Sequence, residues 1–313
     1  MSELRFEGRV VAITGAAQGM GREYAVLLAE RGAKVLVNDI KGCAETVALI
    51  KGRGGEAIEN RCNVTDPDQT DHLVQDALDA WGRLDALISN AAVYGGALPD
   101  PQTTDRILGV HLLATINGVR SAMPVFKRQK YGRILNVGSG SMFGLPNVGI
   151  YAAGKGGVYG FTRSLATDLA ADKDCDIKAN LILPVAFRPG VMCVPDAALQ
   201  TFIDTALAPA NIAPLAALLA HESCPAQGEA IQVGGGRHAR IVLSTTEGWQ
   251  APDDAITPEG ILSHWGEVVA NRDLREPLGS MSDLLARRGF PPYNSIELAA
   301  LSRTGKEARE SGR

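Results

Sequence analysis

Short apolar runs alternate with longer amphipathic stretches through the first 235 residues or so. Apolar runs rich in Val, Ile and Leu predict buried strands, whereas apolar positions that recur every three or four residues predict helices. Strands are predicted at residues 10–13, 34–38, 57–62, 84–88, 133–137, 177–183 and 229–233, and helices at 22–31, 66–81, 103–127, 151–170 and 211–220. Because this alternation is typical of parallel sheets with right-handed crossovers, we predict an α/β fold. Its doubly wound parallel sheet would have about seven strands, with helices on both faces.

The pattern changes after Gly236. Residues 240–244 are strand-like, and Thr257-Pro258-Glu259 is typical of a helix start, with an N-cap, a proline at the first position and an acid in the first turn. A short helix is predicted at 282–288, and the polar residues 302–313 are predicted to be disordered. We therefore predict a main domain at 1–244 and a helical extension with a disordered tail at 245–313.

A glycine-rich turn follows the first predicted strand, where residues 14–21 read Thr-Gly-Ala-Ala-Gln-Gly-Met-Gly. Glycine permits positive φ and close backbone approach to a ligand, and the N-terminus of the next helix presents N–H groups to a phosphate. Asp39 ends the second strand, where a carboxylate can accept hydrogen bonds from ribose hydroxyls. These features together predict a Rossmann-type dinucleotide site. The same carboxylate repels a 2′-phosphate, which favours NAD(H) over NADP(H).

Tyr151 and Lys155 lie four residues apart at the start of a predicted helix, so both side chains can point into one pocket. A phenol has a pKa near ~10, and a neighbouring cation favours the phenolate, which makes the phenol a usable general acid and base. Ser139 can donate a hydrogen bond to a substrate oxygen. Tyr-x-x-x-Lys also occurs on ordinary helices, and the upstream glycine turn is what favours the catalytic interpretation.

These motifs occur in the order and at the scale of the short-chain dehydrogenases/reductases, which the first 235 residues or so resemble. The resemblance implies that Tyr151 exchanges a proton with the substrate oxygen and that Ser139 hydrogen-bonds this oxygen. It implies that Lys155 binds the nicotinamide ribose and lowers the pKa of Tyr151. It further implies a set of residues that contact the cofactor: Gly15, Gln18, Gly19, Met20, Gly21, Asp39, Asn63, Val64, Asn90, Ala91, Ala92, Tyr151, Lys155 and Pro184.

The chain departs from the family pattern at several positions. Asn63 replaces an aspartate near the adenine, where an amide can still accept and donate hydrogen bonds. Ala92 replaces a glycine beside the nicotinamide. The usual fourth catalytic residue, an asparagine, falls at His111. Histidine can replace it if the contribution is a main-chain carbonyl that binds a relay water. If the side chain matters, proton relay is in doubt, and a buried structural histidine is the other interpretation. Ser139 lies one residue closer to Tyr151 than usual, so Ser141 is a rival candidate.

Within the family, several stretches resemble the dehydrogenase unit of type 2 peroxisomal multifunctional enzymes: residues 19–25, 37–39, 110–112, 213–215, 221–224, 228–229 and 234–236. That resemblance implies oxidation of (3R)-3-hydroxyacyl-CoA or, as in some members, of 17β-hydroxysteroids. The longer insertion of those units after the second strand is missing, and we expect a stand-alone relative without hydratase or sterol-carrier domains.

Apolar side chains around the predicted site indicate the substrate class. A substrate loop at 185–208 suits a lid, and the predicted lining residues are Ser141, Met142, Phe143, Phe187 and Met192. We predict an NAD(H)-dependent oxidoreductase that interconverts a bulky apolar secondary alcohol and its ketone. One alternative is a smaller aryl or cyclic alcohol on the same machinery. Another is a catalytically silent dinucleotide sensor or scaffold, although the intact Ser139, Tyr151 and Lys155 speak against it.

Composition indicates which partners and which cellular compartment to expect. The chain has 313 residues and a formal net charge of −4, which argues against a dedicated nucleic-acid or membrane-surface partner. The charged N-terminus is not a signal peptide, and five cysteines without close pairs predict free thiols in a reducing cytoplasm. The five histidines lack metal-ligand spacing, so no metal is expected. Four glycines in the helix after Tyr151 predict close packing against the cofactor or a partner helix, and we expect a homodimer or homotetramer.

Overall fold

The computed structural model describes residues 3–94, 99–188, 193–251, 256–270 and 274. The chain divides into two compact units, Met1–Ile241 and Val242–Arg313. The predicted helix at 282–288 and the predicted disordered tail at 302–313 lie outside the described residues.

An eight-stranded sheet forms the first unit. Its strands are β1 Val10–Thr14, β2 Lys34–Asn38, β3 Glu56–Asn60, β4 Ala86–Ser89, β5 Tyr131–Val137, β6 Asp176–Pro184, β7 Ala230–Gly234 and β8 Arg237–Arg240. They lie in the order β3-β2-β1-β4-β5-β6-β7-β8. The first seven are parallel, as predicted, and β8 pairs with β7 in antiparallel orientation. The strand-like stretch predicted at 240–244 is misplaced, because the chain reverses at Gly235 and Gly236, both at positive φ, and pairs immediately.

Alternate residues of the parallel strands supply two separate cores. In β1, Val11 and Ile13 belong to one buried cluster, whereas Val10 and Ala12 belong to another on the opposite face. Such two-sided burial explains why these strands are continuous apolar runs in the sequence. The strand order reverses between β1 and β4. In doubly wound sheets, ligands bind beyond the carboxyl ends of the strands at such a reversal.

Helices connect the strands. They are α1 Gly19–Glu30, α2 Ala44–Gly52, α3 Pro67–Trp81, α4 Pro101–Leu108, α5 Ala114–Gln129, α6 Gly149–Ala171, α7 Ala197–Ala206 and α8 Ala213–Ala220. The sequence pattern did not predict α2 and α7. Helix α2 buries only two residues, Thr46 and Ile50, so its amphipathic signal is weak. Of the two candidate N-caps for α3, Asp66 is the cap, since its carboxylate accepts from the backbone N–H groups of Asp68 and Gln69.

One predicted helix, 103–127, is divided in the structure. A π-helical turn, Gly109–Leu113, separates α4 from α5 and carries His111. A π-turn inserts one residue into the helical repeat, and such turns are frequent at functional sites. The turn is invisible to a search for 3.6-residue periodicity.

The second unit contains two short helices among its described residues, α9 Pro258–Ser263 and α10 Trp265–Val268. The predicted helix start at Thr257 is confirmed, because its hydroxyl accepts a 2.9 Å hydrogen bond from the N–H of Gly260. Among the described residues, no single helix has both the length and the hydropathy of a membrane span. Ala197–Ala206 and Pro209–Ala220, bent by 52° at a short break, reach that threshold only together. In the second segment, Leu215 and Leu219 are buried in the core of the first unit.

Candidate active site

The glycine turn lies between the end of β1 and the start of α1, and close packing inside the protein accounts for two of its glycines. A Cβ atom on Gly15 would lie 2.7 Å from the Cα of Ala91, and one on Gly21 would lie 2.4 Å from the carbonyl oxygen of Gly15. Gly15 and Gly19 both have positive φ, +64° and +60°, and a Cβ atom on Gly19 would meet only the Arg188 side chain, at 3.6 Å. The turn is therefore packed on its protein side and open on the other.

Asn90, after β4, holds this turn in place. Its side-chain amide donates to the carbonyl oxygens of Thr14 and Gly15 at 2.9 and 3.0 Å, and the Thr14 hydroxyl accepts from the N–H groups of Asn90 and Ala91. The Oδ1 atom of Asn90 is buried without a hydrogen-bond partner in the described structure. Asn90 thus acts on the cofactor site by positioning the turn.

The N-terminus of α1 is left open to an anion. Its N-cap residue, Gln18, makes no side-chain capping bond, and the first turn of the helix contains no acidic residue. Free N–H groups and the positive end of the helix dipole therefore face the turn. A cavity of about 420 Å³ adjoins it, lined by Gly15, Gln18, Gly19, Met20, Asp39, Asn90, Ala92, Tyr94, Ala186, Phe187, Arg188 and Pro209. Its uncapped helix end and its carboxylate fit the diphosphate and the ribose of a dinucleotide.

Asp39 lies at the end of β2 and lines this cavity. One carboxylate oxygen accepts from the N–H of Lys41 at 3.0 Å, and the backbone N–H of Asp39 donates to the carbonyl oxygen of Asn60. A buried pair supports this strand end, because the Asn38 amide donates to the Asn60 Oδ1 at 2.7 Å. The predicted ribose acceptor is therefore held at the cavity wall by its neighbours.

Asn63 and Val64, the predicted adenine contacts, have side chains that are already engaged within the protein. The Oδ1 atom of Asn63 accepts from both the N–H and the hydroxyl of Thr65, so the acceptor half of its amide is already used in a turn. The side chain of Val64 is buried in the core. Any contact of Val64 with a ligand would therefore have to come from its main chain.

Tyr151 and Lys155 both lie in the first turns of α6 and are buried. The Lys155 ammonium donates to the carbonyl oxygen of Val137, at the end of β5, at 2.6 Å. Burial lowers the pKa of Lys155 to about 7. Burial also raises the pKa of Tyr151 to about 12, and the phenol of Tyr94 adds to this rise.

The pKa of Tyr151 differs from the prediction made for it. We expected the Lys155 cation to lower this pKa, whereas the pKa is raised in the ligand-free protein. Desolvation disfavours the phenolate, and the Lys155 ammonium is bound by a backbone carbonyl instead. A hydrogen bond with the Ser139 hydroxyl acts in the opposite direction and lowers the pKa of the phenol.

The two candidate serines have different surroundings. Ser139 follows β5 beside Tyr151, and its hydroxyl accepts from the N–H of Ser141 at 3.2 Å. Ser141 lies within a short 3₁₀ helix, Gly140–Phe143, and its buried hydroxyl has no partner in the described structure. Ser139 is therefore the serine that stands next to the Tyr151 phenol.

His111 packs edge-on against Tyr151, with ring centroids 4.8 Å apart at 81°. Its Nε2 lies 2.6 Å from the carbonyl oxygen of Val93 and 3.3 Å from the backbone nitrogen of the same residue, and the shorter contact favours the tautomer with the proton on Nε2. Burial, followed by the charge of Lys155, lowers the pKa of His111 to about 3, so the ring is neutral at pH 7. Its main-chain carbonyl accepts from the Thr115 hydroxyl at 2.8 Å. The side chain thus joins the loop after β4 to the ring of Tyr151.

The sequence analysis missed Tyr94. Its ring stacks on Tyr151 with centroids 5.3 Å apart and an interplanar angle of 13°, yet Tyr94 is 78% exposed. It stands four positions after Asn90 in the loop that follows β4. That proximity to a predicted rim residue was the one signal in the sequence that could have indicated it.

The predicted substrate residues separate into three groups. Phe187 lines the cavity and Phe143 is 53% exposed, so both are available to a ligand. Met142 instead packs against a buried cluster that includes Val158 and Leu181. Met192 lies outside the described residues.

Two further predictions concern metals and the rim. Among the residues that the structure describes, no group of three or more His, Cys, Asp or Glu side chains could hold a metal ion. Pro184 ends β6 opposite Val233 of β7, at the same edge of the sheet as the glycine turn.

Comparisons with known proteins agree with this geometry. The sequence profile of the family described as short chain dehydrogenase matches residues 9–193. The peroxisomal multifunctional enzyme type 2 of Mus musculus is 34% identical over 97% of this chain and 44% of its own length. The full-length enzyme of that name from Drosophila melanogaster superposes with a TM-score of 0.75 at 29% identity, over 91% of this chain and 49% of the other. A short chain dehydrogenase from Mycobacterium avium superposes with a TM-score of 0.71 at 28% identity, over 84% of this chain and 96% of the other. The chain thus spans about half the length of the multifunctional relatives.

Proposed function

This chain belongs to the short-chain dehydrogenase family, and from that premise we propose that it is an NAD(H)-dependent oxidoreductase. We propose that it interconverts a bulky apolar secondary alcohol and its ketone. One observation carries the proposal: Tyr151, Lys155 and Ser139 stand at the same sheet edge as the open glycine turn and the Asp39 carboxylate.

Each side chain has a role that follows from its surroundings. Tyr151 gives a proton to the substrate oxygen in reduction and takes it back in oxidation, and Ser139 donates a hydrogen bond to this oxygen. Lys155 binds ribose hydroxyls of the nicotinamide half. The bound nicotinamide supplies or accepts the hydride. Because Tyr151 lies against His111 on one side and Tyr94 on another, its ring is held in one orientation.

The preference for NAD(H) over NADP(H) rests on Asp39. The carboxylate lines the cavity after β2, where the adenosine ribose binds in doubly wound folds. A 2′-phosphate placed there would meet a like charge. Fluorescence titration with NADH and NADPH tests this directly, and tighter binding of NADPH would contradict it.

The substrate class rests on the resemblance to multifunctional-enzyme dehydrogenase units and on exposed apolar side chains. Phe143 and Leu145, just before α6, are 53% and 57% exposed, and Phe187 lines the cavity. These groups suit a 3-hydroxyacyl-CoA or a hydroxysteroid. A screen of NAD⁺ reduction at 340 nm with acyl-CoA, steroid and small aryl alcohols tests the class. Turnover restricted to small polar polyols would overturn it.

Tyr151→Phe tests the catalytic role. We expect turnover to fall by about 10²- to 10⁴-fold, because the proton donor is lost. NADH binding, measured by fluorescence titration, should stay within about twofold, since the missing hydroxyl is not what holds the dinucleotide. Retained turnover in this variant would refute the assignment. NADH binding without turnover in the wild-type protein would favour the silent-sensor alternative.

A homodimer or homotetramer in the cytoplasm is part of the same proposal. The helix glycines support it only in part. Cβ atoms on Gly154 and Gly157 would crowd His111 and Leu112 of the same chain, whereas Gly160 has open space around it. Light scattering at micromolar concentration measures the mass, and a strictly monomeric value would rule out the oligomer.

A further inference from the structure

The loop after β6 reaches back to the glycine turn through one side chain. The Nη1 atom of Arg188 donates a 2.6 Å hydrogen bond to Oε1 of Gln18, although the two residues are 170 positions apart. The Cδ atom of Arg188 lies 3.6 Å from the place that a Cβ atom on Gly19 would occupy. The guanidinium therefore stands at the open side of the turn, at the N-terminus of α1.

The hydrogen bonds of this arginine leave most of its donors unused. Arg22, on α1 itself, is bound by the carbonyl oxygen of Ala17, the hydroxyl of Thr46 and the carboxylate of Glu45. Arg188 has only the neutral Gln18 amide as a hydrogen-bond partner within the described part of the chain, where no carboxylate pairs with it. A guanidinium has five N–H donors in a fork that matches phosphate oxygens.

The surroundings of Arg188 favour an anion. The N-terminus of α1 bounds the cavity and has neither a side-chain capping bond nor an acidic residue in its first turn. Among the described residues that line the cavity, Asp39 carries the carboxylate, at the place proposed for the adenosine ribose. An unpaired cation and a free helix N-terminus at the same turn therefore leave two sources of positive charge without a partner. A dinucleotide brings two negative charges to this turn, on its diphosphate.

We propose that Arg188 binds the diphosphate of the cofactor. On binding, its guanidinium exchanges the neutral Gln18 oxygen for charged phosphate oxygens. This inference rests on the proposed function, because it requires a dinucleotide in the cavity. The proposed contact would also connect the glycine turn to the loop after β6, which contains Arg188. Phe187, the residue before Arg188, lines the cavity, and its N–H donates to the carbonyl oxygen of Leu207.

The test compares Arg188→Gln and Arg188→Lys with Arg53→Gln, which removes an exposed arginine at the end of α2. NADH affinity is measured by fluorescence titration, and ADP-ribose and adenosine are measured as competitors. We expect Arg188→Gln to weaken NADH and ADP-ribose by about 10- to 100-fold, the usual effect of losing a hydrogen bond to a charged group. Adenosine, which lacks phosphate, should bind as in the wild type. Arg188→Lys should recover part of the loss, and Arg53→Gln should show none.

Two results would overturn the proposal that Arg188 binds the diphosphate. The first is ADP-ribose affinity in Arg188→Gln within twofold of wild type. The second is an equal loss for ADP-ribose and adenosine, which would show that the arginine shapes the site and does not bind the diphosphate. Thermal unfolding of each variant checks that the fold is retained. A wild-type protein that is folded but binds no NADH would refute the proposed function itself, an outcome distinct from both.

Discussion

The two ends of the sheet differ in whether their polar side chains have partners. At the amino ends of the strands, Asp85 pairs with Arg9 and Arg83, Arg133 pairs with Asp176, and the Tyr131 ring lies between the guanidinium groups of Arg9 and Arg133. At the carboxyl ends, four buried polar atoms have no partner in the described structure: Asn90 Oδ1, His111 Nδ1, Asn136 Oδ1 and Ser141 Oγ.

This difference separates a stabilising region from a binding region. Polar groups that are fully paired favour the folded state, because breaking them leaves a buried charge or a buried carbonyl without a partner. Unpaired buried groups at the other end cost stability in the free protein. Lys155, which has one carbonyl partner, belongs to this second group.

The largest effect on stability is expected at the paired end. Arg133 is fully buried, and its guanidinium donates to Asp176 and to the carbonyl oxygens of His221 and Glu222. Arg133→Met should lower the free energy of unfolding by about 3–5 kcal/mol, measured in urea. Arg128→Met, at an exposed position of α5, is the control and should change it by less than about 0.5 kcal/mol. NADH affinity of the folded Arg133→Met protein should be unchanged, and a selective loss of NADH binding would contradict the division between the two ends.

At the open end, the two serines should differ in activity. Ser139→Ala should lower kcat by about 10²- to 10³-fold, as removal of a donor to a reacting oxygen does. Ser141→Ala should leave kcat within about threefold and the free energy of unfolding equal or higher, because it deletes a buried hydroxyl without a partner. Steady-state kinetics and urea unfolding of both variants measure this contrast. The reverse result would assign the substrate-oxygen contact to Ser141.

A further effect is expected in the pH dependence of stability. The folded-state pKa of Lys155 is about 7, against 10.5 for an ordinary lysine, so between these values the unfolded chain binds more protons. Stability of the ligand-free protein should therefore rise with pH across this window. Lys155→Met removes the group and should flatten that rise relative to wild type in urea unfolding at several pH values. Parallel curves for the two proteins would show that Lys155 has an ordinary pKa in the fold.

Much of the fold followed from local pattern. The parallel strands were predicted close to their observed bounds, because strands buried on both faces are continuous apolar runs. The glycine turn was predictable because positive φ and close approach restrict the residue type at each position. Helix α2 was missed since its burial is slight, and the π-turn at His111 was missed since one inserted residue leaves almost no periodic signal.

Parts of the candidate site did not follow from the sequence. Tyr94 stacks on a residue 57 positions later, and Arg188 meets Gln18 from 170 positions away. Met142 looked like a pocket residue but packs against a buried cluster. No spacing rule connects such pairs, because the order of strands in the sheet determines which loops become neighbours.

By itself, the sequence determined the order of strands and helices, the glycine turn, the acid after β2 and the one-turn spacing of Tyr151 and Lys155. Each of these depends on residues close together in the chain. Only the tertiary structure decided the protonation properties of the site. The pKa of Tyr151 rises to about 12 and that of Lys155 falls to about 7 because burial removes water from both side chains. Desolvation depends on every element packed around a group, so no local spacing could reveal it.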